Sequence, residues 1–113
     1  MKTEEYPFVT VIVPCRNEEK FIDKCLSSII SQNYPKENLE VLVVDGMSED
    51  GTREIIEKFK IQNSKFKIKL LDNPKKITPC ALNIGIKNAN GEIIMRMDAH
   101  TTYEKDYISK CVK

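Results

Sequence analysis

Five side chains that could share a ligand fall just past apolar runs. Asp45 closes VLVVD at residues 41–45, and Asp98 and His100, the only histidine, close EIIMRMDAH at residues 92–100. Arg16 and Glu18 follow Pro14 at the end of VTVIVPCRNEE, residues 9–19. Residues i and i+2 of an extended segment point the same way, about 6.6 Å apart at the backbone. Asp98 and His100 can therefore converge on one cation. Three strands that deliver carboxylates, an arginine and an imidazole to their C-terminal ends describe one shared site, because open α/β sheets bind ligands beyond the carboxyl ends of their strands.

The elements that must hold these residues can be read from periodicity. The expected order is β-α-β-α-β-α-β with a short final helix, in an α/β, Rossmann-like parallel sheet with flanking helices. The first strand spans residues 8–13. Ile22, Cys25, Leu26, Ile29 and Ile30 then make one apolar helix face, with Asn17 as the expected N-cap and Asn33-Tyr34-Pro35 as the stop. Residues 40–44 form a continuous apolar run, as a strand covered on both faces requires. Ser48 or Asp50 caps a helix bearing Ile55, Ile56 and Phe59, and residues 67–71 alternate as an edge strand does. Thr78-Pro79 opens a third helix, expected to bury Leu82, Ile86 and Ala89, with Gly85 near that face. Gly91 stops it, and residues 92–97 form the fourth strand, with Met95 and Met97 in the core. Ile108, Cys111 and Val112 begin an amphipathic helix with no further sheet to pack on, so we expect one domain, 1–113, truncated at its C-terminus.

Bulk properties narrow the partners. Eighteen basic and seventeen acidic residues leave a formal charge of +1, with no basic stripe for nucleic acid. No apolar run approaches the ~20 residues of a membrane span. The polar, acidic N-terminus lacks the apolar stretch of a signal peptide. Cys15, Cys25, Cys80 and Cys111 show no C-x-x-C spacing and are expected as reduced thiols of a cytoplasmic chain, two of them on buried helix faces.

Several nucleotide-site motifs can be set aside. A dinucleotide site needs G-x-G-x-x-G after the first strand, and Pro14-Cys15-Arg16-Asn17-Glu18 contains no glycine. Residues 46–52 have phosphate-loop glycine spacing but lack the Lys-Ser/Thr pair and follow the second strand. The acid pair of a receiver domain is also missing, since Asn17 and Glu18 stand there.

VTVIVPCRNEE, EVLVVDGMSEDGT, NPKKITPCALNIGI and GEIIMRMDAH, in that order, resemble the nucleotide-binding half of an inverting family 2 glycosyltransferase with the GT-A fold. D-G-M-S in place of the commoner D-D-G-S, together with R-M-D-A-H, is similar to the bacterial glucosyltransferases that build succinoglycan-like exopolysaccharide. The resemblance implies transfer of a hexose, glucose in that branch, from a UDP-sugar to a polysaccharide or lipid-linked acceptor. It implies that Pro14, Arg16 and Glu18 line the base and ribose, that Asp45 accepts the uracil N3–H, and that Asp98 and His100 stand where the family writes D-x-D. Asp98 would then face both nucleotide and metal, with His100 in place of the second acid. The metal would be Mg²⁺ or Mn²⁺. The catalytic base would lie downstream, and membrane association would come only through chain beyond Lys113.

Simpler roles exist for each residue. Asp45 and Asp50 could cap turns, Glu18 could face a helix dipole, Arg16 could pair with a carboxylate, and Lys75 and Lys76 suit a solvated turn. Two other classes remain. A nucleotidyltransferase-like enzyme needs a glycine-rich loop that PCRNE lacks. A noncatalytic α/β nucleotide-binding or assembly module predicts that Asp45, Asp98 and His100 do not converge.

Overall fold

The computed structural model describes residues 6–112; the N-terminal residues 1–5, whose polarity argued against a signal peptide, and Lys113 lie outside it. Its order is β1 (Val9–Cys15), α1 (Ile22–Ile30), a 3₁₀ turn (Lys36–Asn38), β2 (Leu39–Asp45), α2 (Thr52–Gln62), β3 (Lys67–Asp72), α3 (Thr78–Asn88), β4 (Ile93–Arg96) and α4 (Tyr107–Val112). All pairings are parallel, and the strands lie in the order β3-β2-β1-β4. The expected element order and sheet type are therefore found, with β3 at an edge.

Strand order dictates where the helices go. The chain advances from β1 through β2 to β3, then returns across the sheet to β4. Right-handed crossovers put helices on one face during the advance and on the other during the return. Thus Ile22, Cys25, Leu26 and Ile29 of α1, with Ile56 and Phe59 of α2, pack against Val9, Val11, Val13, Val41 and Val43. Ala81 of α3 packs on the opposite face against Ile12 and Val44. β2 is buried along its whole length, which accounts for its uninterrupted apolar run.

Local expectations fail where small residues or left-handed backbone intervene. β1 runs two residues past Val13. Asn17 does not cap α1, which starts at Ile22; it sits at φ 55° and ties two loops together instead. Thr78 is not the cap of α3 but its first residue, following Ile77. That helix buries Ala81 and Gly85, whereas Ile86 is 53% exposed. The reason is proximity: a Cβ on Gly85 would lie 2.7 Å from Cδ1 and Cγ2 of Ile12, so only small residues allow this approach. α3 ends at Asn88, and Gly91 serves a different purpose, because a Cβ there would lie 2.5 Å from the Thr10 nitrogen. Met97 is fully buried and Met95 packs beside it. On α4, Ile108 is the buried anchor while Cys111, expected on the buried face, is exposed. Among the described residues, no helix is long and apolar enough to cross a membrane.

Candidate functional site

The return from β3 to β4 opens a crevice between β1 and β4 at their C-terminal ends, the place where doubly wound sheets bind ligands. A cleft of about 120 Å³ lies there. Its walls include Pro14 at the end of β1 with Arg16 and Glu18 past it, Asp98 and His100 past β4, and Asn73, Lys76 and Ile77 past β3. Five of the six site residues expected from sequence thus meet on one wall. Enclosed small-molecule sites usually measure ~300–1,000 Å³, so this cleft contacts a large ligand along one side.

Asp45 is the exception. Its side chain has no exposure and forms no part of the cleft wall. One carboxylate oxygen accepts Nη1 of Arg53 at 2.8 Å and the Ser48 N–H at 2.9 Å; the other accepts the hydroxyl of Ser48 and the thiol of Cys15. Burial alone would raise the Asp45 carboxyl, but the bonds from Ser48 and Arg53 outweigh it and hold the group below its ordinary range. Arg53 also reaches Asp72 at 2.7 Å, so one guanidinium clamps the ends of β2 and β3. Of the three residues whose convergence separates a donor site from a passive module, Asp98 and His100 line the cleft and Asp45 does not.

The turn after β1 is stitched to the turn after β2. Arg16 Nε donates to the Gly46 carbonyl at 2.9 Å rather than to a carboxylate. The backbone N–H of Asn17 donates to Ser48 and that of Glu18 to Thr52, both at 2.8 Å. The Asn17 amide oxygen accepts from Glu49 and a Glu19 carboxylate oxygen from Gly51, at 2.8 and 2.7 Å. Asp50 accepts the Thr52 N–H at 2.9 Å, a capping role filled one residue before the formal cap. These cross-loop bonds leave the Glu18 carboxylate free to meet His100, with Nδ1 3.5 Å from Oε2.

Asp98 is held by its backbone. Its N–H donates to the Tyr103 hydroxyl at 2.7 Å, and its carbonyl accepts the Cys25 thiol at 3.2 Å. Its carboxylate meets Arg96 Nε at 3.0 Å in a solvent-exposed pair. Burial, with Asp98 and Glu18 nearby, pushes the Cys25 thiol up to about 12; burial and the Asp45 charge push Cys15 higher. Both thiols are therefore protonated donors that position acids. Neither role could be read from sequence, since the partners lie 30 or more residues apart. Lys76, expected as a solvated turn residue, is exposed but lines the cleft, whereas Lys75 faces an apolar recess with Cys80 and Ile84.

Among the described residues, no group of three or more His, Cys, Asp or Glu side chains is placed to hold a metal. Asp98 and His100, with Glu18 beside them, offer a partial donor set. Such a set fits a cation that arrives with phosphate oxygens and keeps several waters, as Mg²⁺ does, and does not fit an all-protein cage.

A four-stranded parallel sheet with this switch-point cleft is the nucleotide-binding arrangement of GT-A glycosyltransferases, and solved structures agree. The mannosyltransferase PcManGT from Pyrobaculum calidifontis, in complex with GDP-Man and Mn²⁺, superposes with a TM-score of 0.91 at 34% identity, covering 95% of this chain and 32% of that one. S. aureus TarS 1-349 in complex with UDP gives 0.77 at 32% identity, over 91% of this chain and 30% of that one.

The chain belongs to glycosyl transferase family 2, whose profile matches residues 10–113. It is 40% identical over 106 residues to the dolichyl N-acetyl-alpha-D-glucosaminyl phosphate 3-beta-D-2,3-diacetamido-2,3-dideoxy-beta-D-glucuronosyltransferase of Methanococcus voltae, covering 94% of this chain and 33% of that protein. It is 33% identical over 105 residues to the succinoglycan biosynthesis protein ExoA of Rhizobium meliloti, covering 91% of this chain and 31% of that protein. The chain thus spans about a third of the length of these two relatives, and the resemblance drawn from its motifs to the family holds.

Proposed function

We propose that this chain is the donor-binding part of an inverting glycosyltransferase that takes a UDP-hexose. Glucose is the sugar that the R-M-D-A-H likeness favours, and the acceptor is a polysaccharide or lipid-linked saccharide. The observation that carries this reading is the meeting of Pro14, Arg16, Glu18, Asp98 and His100 in one switch-point cleft.

Each group has a task that follows from its chemistry. Pro14 and Arg16 form the floor on which base and ribose lie, with Arg16 fixed by the Gly46 carbonyl. Glu18 accepts from ribose or orients His100. Asp98 and His100 would hold Mg²⁺ or Mn²⁺, which when bound neutralises the diphosphate leaving group. Arg96 lines the same cleft and can exchange its exposed contact with Asp98 for a phosphate oxygen. A carboxylate general base supplied by further chain would deprotonate the acceptor hydroxyl, so residues 1–113 alone bind donor and transfer nothing. The four free thiols fit a reducing compartment, on the cytoplasmic side where the full protein would meet its donor.

Isothermal titration of the chain with UDP tests this. UDP binds, and Mn²⁺ strengthens binding about tenfold or more, the worth of one good charge-assisted contact. Asp98→Ala and His100→Ala each remove most of that strengthening and leave the metal-free affinity within about threefold. Absence of UDP binding in the folded wild type, or strengthening by Mn²⁺ that survives both substitutions, rejects the assignment.

A further inference from the structure

β4 ends at Arg96, and the chain leaves the sheet after Met97, whose N–H donates to the Ile12 carbonyl at 3.0 Å. Among the described residues, no strand pairs with Asp98 or His100. Asp98 nevertheless has both of its backbone groups engaged. Its N–H donates to the Tyr103 hydroxyl at 2.7 Å, and its carbonyl accepts the Cys25 thiol at 3.2 Å and the Thr101 N–H at 3.3 Å. Met97 and Ala99 on either side are buried. What remains for the cleft is the carboxylate, its side chain 42% exposed.

The support comes from one stripe of α1. Cys25, Ser28 and Gln32 follow the i, i+3, i+7 spacing of a single helix face, carried one residue past the cap at Ser31. Ser28 Oγ accepts the Tyr103 N–H at 3.2 Å. Gln32, buried, donates from Nε2 to the Glu104 carbonyl at 2.6 Å and accepts the Ile108 N–H on Oε1 at 2.9 Å. The Asn33 N–H donates to the Lys105 carbonyl at 2.7 Å. Each of these bonds ends on backbone, so α1 sets the path of residues 98–108 whatever side chains that path carries. Tyr103 then closes the loop on itself. Its ring packs on the core and lies 4.8 Å from the Tyr107 ring, and its hydroxyl reaches five residues back to Asp98.

We infer that Tyr103, seconded by Cys25, is a positioning residue that fixes the Asp98 backbone, so that the carboxylate is already aimed when the donor's diphosphate arrives with its cation. The inference rests on the donor-binding reading and adds to it the residues that hold its metal-facing acid in place. Neither Tyr103 nor Cys25 lines the cleft, so neither acts by touching the donor. A carboxylate on a loose segment would have to be ordered each time a cation bound, at a cost in backbone and side-chain entropy. Two bonds to the Asp98 backbone meet that cost when the chain folds, and losing either bond returns it to the binding step.

The test compares the wild-type chain with Tyr103→Phe, which loses the hydroxyl and keeps the ring, each first shown to unfold cooperatively. Three quantities are measured: UDP affinity without metal, UDP affinity with Mn²⁺, and exchange of the Asp98 amide with deuterium in the metal-free protein. In Tyr103→Phe the Asp98 amide exchanges about fivefold faster and the strengthening by Mn²⁺ falls about fivefold, each the worth of one neutral hydrogen bond. The metal-free affinity stays within about twofold of wild type. Strengthening that is lost in Asp98→Ala but kept in Tyr103→Phe overturns the positioning role and leaves the donor site standing. Equal loss of affinity with and without Mn²⁺ marks a merely structural role and also overturns it, as does weaker strengthening with no change at the Asp98 amide. A wild type whose UDP binding Mn²⁺ does not strengthen overturns the metal-facing assignment itself, and the inference with it. Should Tyr103→Phe fail to fold, Cys25 decides: Cys25→Ala weakens the strengthening and Cys25→Ser, which keeps a donor for the Asp98 carbonyl, restores it, or the inference fails.

Discussion

Two buried carboxylates, Asp45 and Glu40, set how the chain responds to acid. Glu40, 4% exposed, accepts the Thr10 hydroxyl at 2.6 Å and the Asn90 N–H at 2.7 Å. Burial opposes its charge, as it does for Asp45, and in both cases hydrogen bonds prevail and lower the carboxyl below its ordinary value of 4.5 or 3.8. The unfolded chain therefore takes up these protons before the folded one does. The stability the two groups contribute is complete above their unfolded values and is lost as pH falls through the folded ones. Between about pH 7 and 5.5 they leave the urea midpoint unchanged, and below about 4.5 the midpoint drops. Asp45→Asn removes the charge that Arg53 and Ser48 are arranged around; it costs ~2 kcal/mol at neutral pH and makes the acid-induced drop shallower. An unchanged urea midpoint in the variant would show that the Arg53 clamp carries no stability.

Glycines set the spacing of the elements. Gly85→Ala places a methyl 2.7 Å from Ile12, so α3 must lift from the sheet or Ile12 must leave its rotamer; the expected loss is about 1–3 kcal/mol in chemical denaturation. Gly91→Ala meets the Thr10 backbone at 2.5 Å and displaces the Gly91 N–H from the Thr10 hydroxyl it now reaches at 2.8 Å. Backbone cannot swing aside as a side chain can, so the second variant should lose more than the first, and the reverse order would contradict this packing. The same glycines explain what sequence could and could not reveal. α1 and β2 were legible because large apolar residues mark their buried faces by period and by run. The buried face of α3 was not, because closeness to the sheet demands Ala81 and Gly85, which carry no hydrophobic signal. Asp98 and His100 were legible from their place beyond a strand. Asn73, Arg53 and Ser48 were hidden, because their importance arises from pairings across separate turns, and Asn17 reads as a cap until its left-handed backbone is seen.

At the scale of the whole molecule, every group proposed to touch the donor stands at the C-terminal end of a strand, Pro14 and Arg96 within its last two residues and the others beyond it. One consequence concerns the sulfur atoms. Cys15 and Cys25 lie within the core with their protons held firmly, Cys80 is half-covered, and Cys111 is open to solvent on the last helix. Electrophiles attack thiolates, so a maleimide should modify Cys111 first, Cys80 more slowly, and the other two only once the chain has opened. Mass spectrometry after timed labelling would show one adduct, then two, and a third at neutral pH before denaturant would refute that order. A dye attached through Cys111 thus gives a reporter on the native fold that leaves the sulfurs behind Asp45 and Asp98 intact.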